Sequence, residues 1–201
     1  NRFSKEKISI GIIGEQGLFD TINPITHNNM VEICEIPPNY KSKKYLIIGS
    51  VNNIKISNLK KVLKWTKAGA KIILTCGDIS DPSSKGDLNL GMPKHILYMT
   101  NFNIQTPSSY SLGKPNPLVA QQILNSYPDI KPDEVLLIGD TIYTDIQLAE
   151  ENNFKSLLVL SGNTNKDGIK SYVTEADYIL KSVKELNHLI LKYNNNGTSP
   201  I

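Results

Sequence analysis

The chain has 201 residues, of which 39% are hydrophobic and 20% are charged, and its formal net charge is +3. These values are ordinary for a soluble globular protein, and so small a charge does not favour nucleic acid as a partner. No apolar run reaches the length needed to cross a bilayer, so we expect no membrane association. The two cysteines, Cys34 and Cys76, favour a reducing compartment, and we expect a cytoplasmic protein.

The first half of the chain alternates predicted strands and helices. Residues 8–13, 45–49 and 71–75 are apolar runs typical of strands. Between the last two, the spacing predicts a helix with Ser57 as its N-cap and Gly69 at its end. A strand, a helix and a strand in this order indicate a βαβ unit.

The middle of the chain predicts a loop and then a domain boundary. Residues 76–93 are rich in Gly, Asp, Ser and Pro and show no long periodic pattern. The segment Thr106-Pro107-Ser108-Ser109 is the best candidate for a boundary. We therefore expect one α/β unit over residues 1–107 and a second over residues 108–201.

The most informative stretch of the second unit begins at Val135. The apolar residues 135–138 do not alternate with polar ones and stop at Gly139, which predicts a strand buried on both faces of a parallel sheet. Asp140 follows at the carboxyl end of that strand, where open α/β sheets place their ligands. Thr144 and Gln147 match a capping box, which predicts that a helix starts at Thr144.

Three charged side chains of this half could carry chemistry. Asp140 and Asp145 suit a hard cation such as Mg²⁺, although one could be a turn residue and the other a stabilising acid at a helix start. Lys114 precedes a helix and could neutralise a phosphate, although most lysines are simply exposed. The apolar face predicted for this helix consists of Ala120, Ile123, Leu124 and Tyr127.

The order of these features resembles the carboxyl-terminal half of the haloacid dehalogenase-like (HAD) phosphatases. The likeness is to the branch of 4-nitrophenylphosphatases, phosphoglycolate phosphatases and pyridoxal phosphatases. Gly113-Lys114-Pro115-Asn116-Pro117 is similar to the family's third motif, and Gly139-Asp140-Thr141-Ile142-Tyr143-Thr144-Asp145 is similar to its fourth. Leu160-Ser161-Gly162-Asn163-Thr164 resembles a strand-to-turn segment of the branch. Residues 13–18 and 68–70 resemble parts of its inserted cap domain.

This resemblance implies a fold and a set of roles. The fold would be α/β, with a Rossmann-like parallel-sheet core that is incomplete in this chain and an inserted α/β cap domain. Asp140 would bind Mg²⁺, Asp145 would hold the ion or one of its waters, and Lys114 would steady the nucleophile and the phosphoryl charge. From the cap, Thr75 and Asp78 would contact the substrate, a small phosphorylated metabolite. Relatives often dimerise through the cap, which allows a homodimer here.

The sequence departs from the branch in three respects. Cys76 stands where the branch has Asn, and residues 90–94 stand where a glycine-rich turn is usual. These phosphatases also attack phosphorus with the first aspartate of a D-x-D motif, and no D-x-D occurs in this sequence. The chain begins with Asn1, and the strand at residues 135–138 lacks an evident neighbour on one side. We therefore expect the nucleophile upstream of this fragment, and we expect no catalysis by the fragment alone.

The function expected for the parent protein is Mg²⁺-dependent hydrolysis of small phosphate monoesters, including 4-nitrophenyl phosphate, through an aspartyl-phosphate. Two alternatives stay open. One is a catalytically inactive HAD-like protein that binds a ligand or a protein through its cap. The other is an unrelated doubly wound binding domain in which Asp140 and Asp145 are only turn and cap residues.

Overall fold

The structure is a computed structural model that describes residues 6–24, 30–51, 53–77, 80–82, 88–100, 109–164, 169 and 175–196. The chain divides into two compact units. The first comprises Asn1–Asp81 and Leu88–Gly113, and the second comprises Pro82–Asp87 and Lys114–Ile201. The chain thus passes into the second unit at Lys114, whereas the sequence predicts a boundary after residue 107. That the first unit acts as a cap stays a prediction.

A five-stranded sheet in the order β2-β1-β3-β4-β7 forms the centre of the first unit. Its strands are β1 (Ile8–Ile13), β2 (Val31–Ile33), β3 (Lys43–Ile48), β4 (Lys71–Leu74) and β7 (Ser109–Ser111). All neighbouring pairs are parallel, so each connection must cross back over the sheet. Helix α1 (Gln16–Ile22) follows β1, and helix α2 (Ile56–Lys67) joins β3 to β4. The predicted βαβ unit is therefore confirmed.

Two short strands interrupt the stretch that predicted a loop. β5 (Ser80–Pro82) and β6 (Leu88–Leu90) form a two-stranded sheet, and helix α3 (Met92–Thr100) begins before residue 93. The prediction of a loop over residues 76–93 was wrong. Strands of three residues are too short to show a hydrophobic period, so the sequence carries no pattern that would reveal them.

Helix α2 covers the first sheet with a tryptophan. The Trp65 side chain is fully buried, and it packs so closely on β1 that a Cβ added to Gly11 would lie 2.5 Å from the indole ring. The helix begins at Ile56 and no side chain caps its start, so the prediction of Ser57 as N-cap was wrong. Its predicted end is confirmed, since Gly69 adopts a left-handed φ of 79°.

The second unit is built on a three-stranded parallel sheet in the order β10-β9-β8. Its strands are β8 (Leu136–Gly139), β9 (Lys155–Val159) and β10 (Tyr178–Leu180). Its helices are α4 (Pro117–Ser126), α5 (Gln147–Glu151) and α6 (Val183–Asn196). One core cluster joins α4 and α5 through Ala120, Leu148 and Ala149, and another joins β9 to Leu186 of α6. In the described parts of both units, no helix is long and apolar enough to cross a membrane.

Strand β8 is less covered than its sequence suggests. Leu136 is 39% exposed and Ile138 is 41% exposed, so the prediction of a strand buried on both faces was wrong. The cause is its position, because among the described strands β8 pairs only with β9 and forms one edge of the sheet. The expectation that the strand lacks a neighbour on one side holds within the described residues.

A helix follows Lys114, as the sequence predicts, and it begins at Pro117. The Asn116 side chain accepts a hydrogen bond from the Leu118 amide at 2.9 Å, and Pro117 occupies the first helical position. Ala120 is buried on the predicted face. Tyr127 is 64% exposed, however, because the helix ends at Ser126 and the chain turns away there. Its assignment to the buried face was wrong.

Candidate active site

A π-helix brings the second acidic residue of the strand end back toward the first. It spans Ile142–Ile146, directly after Asp140 and Thr141. The Asp145 amide donates to the Thr141 carbonyl at 2.8 Å, and the Ile146 amide donates to the same oxygen at 3.4 Å. The wide turn points the Asp145 carboxylate toward the start of its own helix. Helical segments of this kind are frequent at functional sites.

The capping box predicted at this turn is absent. Thr144 lies inside the π-helix, is 2% exposed, and its hydroxyl has no hydrogen-bond partner among the described residues. Gln147 donates to Glu151 instead. The Asp145 carboxylate instead closes the turn before the helix, since its Oδ2 accepts from the Asp140 amide at 3.2 Å and from the Thr141 amide at 3.1 Å. The helical segment therefore starts at Ile142, earlier than the sequence predicts.

Lys114 and Asp145 form an ion pair. Lys114 Nζ lies 2.5 Å from Asp145 Oδ1, as a charge-assisted hydrogen bond. The two partners differ in exposure, since the carboxylate side chain is 3% exposed and the lysine side chain is 45% exposed. A buried carboxylate needs such compensation, which the ammonium and the two backbone amides supply together. Nearly half of the lysine side chain thus remains exposed to solvent.

The other carboxylate, on Asp140, is held by neutral donors. Its Oδ1 accepts from the Thr141 hydroxyl at 3.0 Å, and its Oδ2 accepts from the Asn163 amide at 3.2 Å. A carboxylate offers about four lone-pair sites, so these bonds leave room for a cation. With Asp145 and Lys114 both ionised, the three side chains carry a formal charge of −1, which favours a cation beside Asp140.

Two glycines make room for these carboxylates. A Cβ added to Gly139 would lie 2.1 Å from Asp145 Cγ, and one added to Gly162 would lie 1.6 Å from Asp140 Oδ2. A larger residue at either position would collide with the nearby carboxylate unless the acid moved. Both glycines are therefore required by close approach, because neither has the left-handed φ that would otherwise explain it.

The site contains residues to which the sequence assigned no role. Thr141 and Asn163 hydrogen-bond to each other and to Asp140, and Gly162 lies beside that acid. Their segments were recognised only by resemblance, as parts of the fourth motif and of the turn over residues 160–164. The spacing of residues in a single sequence does not reveal that Asn163 contacts Asp140 and Thr141, so the sequence could not assign these side chains a role.

The arrangement fits Mg²⁺ through a single carboxylate. Among the residues that the structure describes, no group of three or more His, Cys, Asp or Glu side chains could hold a metal ion. Mg²⁺ does not need such a cage, because it usually keeps several waters and takes one or two carboxylates with substrate phosphate oxygens. Asp140 retains acceptor capacity for that purpose, whereas Asp145 is already engaged by Lys114 and two amides.

The predicted substrate residues belong to the first unit. Thr75 follows β4, and its amide donates to the Ile48 carbonyl at 3.1 Å. Cys76 is partly exposed beside it. Asp78 lies outside the described residues. The structure thus brings together Lys114 and the two acids of the second unit, and the substrate contacts assigned to Thr75 and Asp78 stay predictions.

Comparison with known proteins finds a family match in the second half of the chain. Residues 111–186, which contain Lys114 and both acids, match a family model described as HAD-hydrolase-like. The sugar-phosphatase AraL of Bacillus subtilis is 28% identical over 188 residues, which cover 94% of this chain and 63% of that protein. The dihydroxyacetone phosphatase of Corynebacterium glutamicum is 22% identical and covers 92% and 63%, respectively.

Solved structures show the same fold. The 4-nitrophenylphosphatase of Thermotoga maritima superposes with a TM-score of 0.74 at 25% identity, over 93% of this chain and 66% of that one. The p-nitrophenyl phosphatase of Archaeoglobus fulgidus gives a TM-score of 0.70 at 22% identity, over 90% and 66%. The chain thus spans less than two thirds of the length of these relatives. Residues 111–186 thus match the HAD-hydrolase-like family, and the chain is similar in fold to these nitrophenylphosphatases.

Proposed function

We propose that the protein containing this chain is a Mg²⁺-dependent phosphatase of small phosphate monoesters. The observation that carries the proposal is the ion pair of Lys114 with buried Asp145, beside an Asp140 carboxylate that retains acceptor capacity. The names of the relatives, a sugar-phosphatase, a dihydroxyacetone phosphatase and a 4-nitrophenylphosphatase, support the same reaction class.

The residues of this chain supply charge stabilisation and positioning. Lys114 presents its ammonium to the phosphoryl oxygens, where charge develops during transfer. Asp145 holds Lys114 in place from the buried side. Asp140 would hold Mg²⁺, which neutralises phosphate charge when bound. Asp145 would also contribute to the metal site, but it already accepts from Lys114 and two backbone amides, so it has less acceptor capacity left for a cation than Asp140 has.

The attacking aspartate is proposed to come from outside these 201 residues, as the first acid of a D-x-D segment that forms an aspartyl-phosphate. Two observations support this. The sequence contains no D-x-D. Strand β8, which carries Asp140 at its end, also has an exposed apolar face and one described neighbour. A further parallel strand against that edge would place its own carboxyl end beside Asp140.

The alternatives are less well supported. An inactive binding protein has no need for the ion pair of Lys114 and Asp145. The unrelated binding domain would use Asp145 only to stabilise a helix start, whereas the structure pairs it with a lysine. The substrate contacts of Thr75 and Asp78, the homodimer and the cytoplasmic location stay predictions.

The test is hydrolysis of 4-nitrophenyl phosphate by the complete gene product. We expect turnover that depends on Mg²⁺, and we expect Asp140→Asn to lower kcat/KM by about 100-fold or more, since the loss of one electrostatic group at a transition state costs this much. Asp133→Asn is the matched control, because Asp133 is an exposed acid in the 3-10 turn Pro132–Glu134. Equal activity of wild type and Asp140→Asn would exclude the proposed role of Asp140.

A further inference from the structure

The Thr141 hydroxyl links Asp140, at the end of β8, to Asn163 in the turn over residues 161–164. Its Oγ1 lies 3.0 Å from Asp140 Oδ1 and 3.0 Å from Asn163 Nδ2, and the Thr141 side chain is 3% exposed. A hydroxyl has a single proton but two acceptor lone pairs. Because Thr141 is almost fully buried, the direction of its hydroxyl proton depends on these two neighbours.

The direction of that proton follows from the chemistry of the neighbours. Asn163 Nδ2 can only donate, so it fills an acceptor site of the Thr141 hydroxyl and leaves the proton for Asp140. The reversed amide would present Oδ1 to Thr141 and draw the proton away from Asp140. Two bare oxygens, on the threonine and the carboxylate, would then face each other at 3.0 Å. The observed orientation avoids that repulsion.

The backbone around Asn163 fixes its position. Its amide donates to Asp140 Oδ2 at 3.2 Å, and the Thr164 amide donates to the Asp140 carbonyl at 2.9 Å. Gly162 lies against the same carboxylate, where a Cβ would collide with it. The turn over residues 161–164 thus closes on Asp140 from one side. The side chain of Asn163 can act through Thr141 only because this turn holds it there.

We propose that Asn163 is a positioning residue for the cation ligand Asp140, which it orients through the Thr141 hydroxyl. This inference rests on the proposed function, because it assumes that Asp140 binds Mg²⁺. Both carboxylate oxygens are fixed by donors that carry no charge, so the carboxylate keeps its full attraction for the cation while losing its freedom to rotate. Hydrogen-bond partners of metal ligands commonly contribute in this manner.

The first test measures binding of Mg²⁺ alone to the complete gene product by calorimetry. We expect Asn163→Leu and Thr141→Val each to weaken binding by about tenfold or more. Thr141→Ser retains the hydroxyl and should restore wild-type affinity. Asn152→Leu is the matched control, since Asn152 of the same unit donates its side-chain amide to the Leu148 carbonyl.

The double variant separates positioning from general damage. If Asn163 acts through Thr141, Asn163→Leu should weaken binding much less in the Thr141→Val background than in the wild type. Two fully additive losses would overturn the proposed connection. Unchanged Mg²⁺ affinity of Asn163→Leu, with a wild type that binds, would overturn the inference alone. A wild type that binds no Mg²⁺ would overturn the proposed metal function and this inference with it.

A second measurement needs no metal. In nuclear magnetic resonance spectra, the Asn163 side-chain amide protons should shift in Thr141→Val and return in Thr141→Ser. The Asn152 amide protons should not change in either variant. Asn163 signals that are insensitive to Thr141→Val would show that the hydrogen bond is absent and would overturn the inference independently of the metal.

Discussion

At the scale of single residues, the two acids of the site are held by different partners and so have different capacities. Asp145 is buried, accepts from two backbone amides, and is paired with Lys114. Asp140 is partly exposed and accepts from one hydroxyl and one amide. Asp145 therefore organises the turn, and Asp140 is available for a ligand. The spacing of two carboxylates five positions apart does not by itself show that their roles differ in this way.

Gly139 should be sensitive to the smallest substitution. In Gly139→Ala the new Cβ would fall within the Asp145 side chain, so the carboxylate must leave its amide donors or the strand must shift. We expect the free energy of unfolding to fall by about 1–3 kcal/mol, the usual cost of overpacking. Thermal unfolding followed by circular dichroism measures it.

Gly17 provides the comparison for that substitution. It lies in helix α1, and nothing lies within 4 Å of an added Cβ. Gly17→Ala should stabilise the first unit by up to about 1 kcal/mol, because alanine loses less backbone entropy in a helix. A Gly139→Ala protein as stable as wild type would contradict the close approach described here.

At the scale of elements, β9 and β10 are joined by a side chain as well as by their ladder. Asp177 Oδ2, just before β10, accepts from the Ser156 amide at 2.8 Å and from the Ser156 hydroxyl at 2.9 Å. The amide hydrogen bond chiefly, and then the hydroxyl, hold the pKa of Asp177 below its ordinary value, with a smaller contribution from Lys155. The ionised carboxylate is thus the form that favours the folded state.

The stability of the second unit should consequently depend on Asp177 in acid. Because the folded pKa is lowered, the contribution is present above the unfolded pKa of about 3.9 and is lost as the pH falls below it. Urea unfolding of wild type and Asp177→Asn, measured at several pH values, should show a difference that shrinks as the pH falls from about 5 to about 3. A difference that stays constant over this range would contradict the assignment.

The sequence predicted the elements better than it predicted their surroundings. Apolar runs located β1, β3 and β4 because such runs are intrinsic to buried parallel strands. It failed at Thr144, because a π-helix starts earlier, at Ile142, and returns the Asp145 carboxylate to the Thr141 amide. It also missed Trp65, because its burial depends on the space left by Gly11 in another element. Local patterns record local structure, and contacts between distant segments leave no such record.

At the scale of the whole molecule, an unpaired edge dominates the second sheet. Strand β8 has exposed apolar side chains and only one neighbour among the described strands. Another strand can therefore pair with its open edge. If the proposed upstream strand covers this edge in the complete gene product, one substitution should have opposite effects in the two proteins.

Ile138→Lys tests this reversal. In the 201-residue chain the lysine should reduce self-association, measured by analytical ultracentrifugation, because a charge on an edge strand discourages pairing. In the complete gene product it should lower the melting temperature, because the lysine would be buried against the added strand. Ile190→Lys on α6 is the control, since Ile190 is exposed to a similar extent and is not on a strand. A complete gene product whose melting temperature is as high with Ile138→Lys as without it would exclude a covering strand.

The Asp145 carboxylate occupies a place where an anion could otherwise bind. The successive amides of Asp140 and Thr141 form a concave pair of donors, a geometry that commonly captures phosphate. In this protein an internal carboxylate already fills that concavity and acts as a built-in competitor. If the complete protein is the proposed phosphatase, its substrate phosphate would need donors other than these two amides, and in this chain the strand end anchors Lys114 through Asp145.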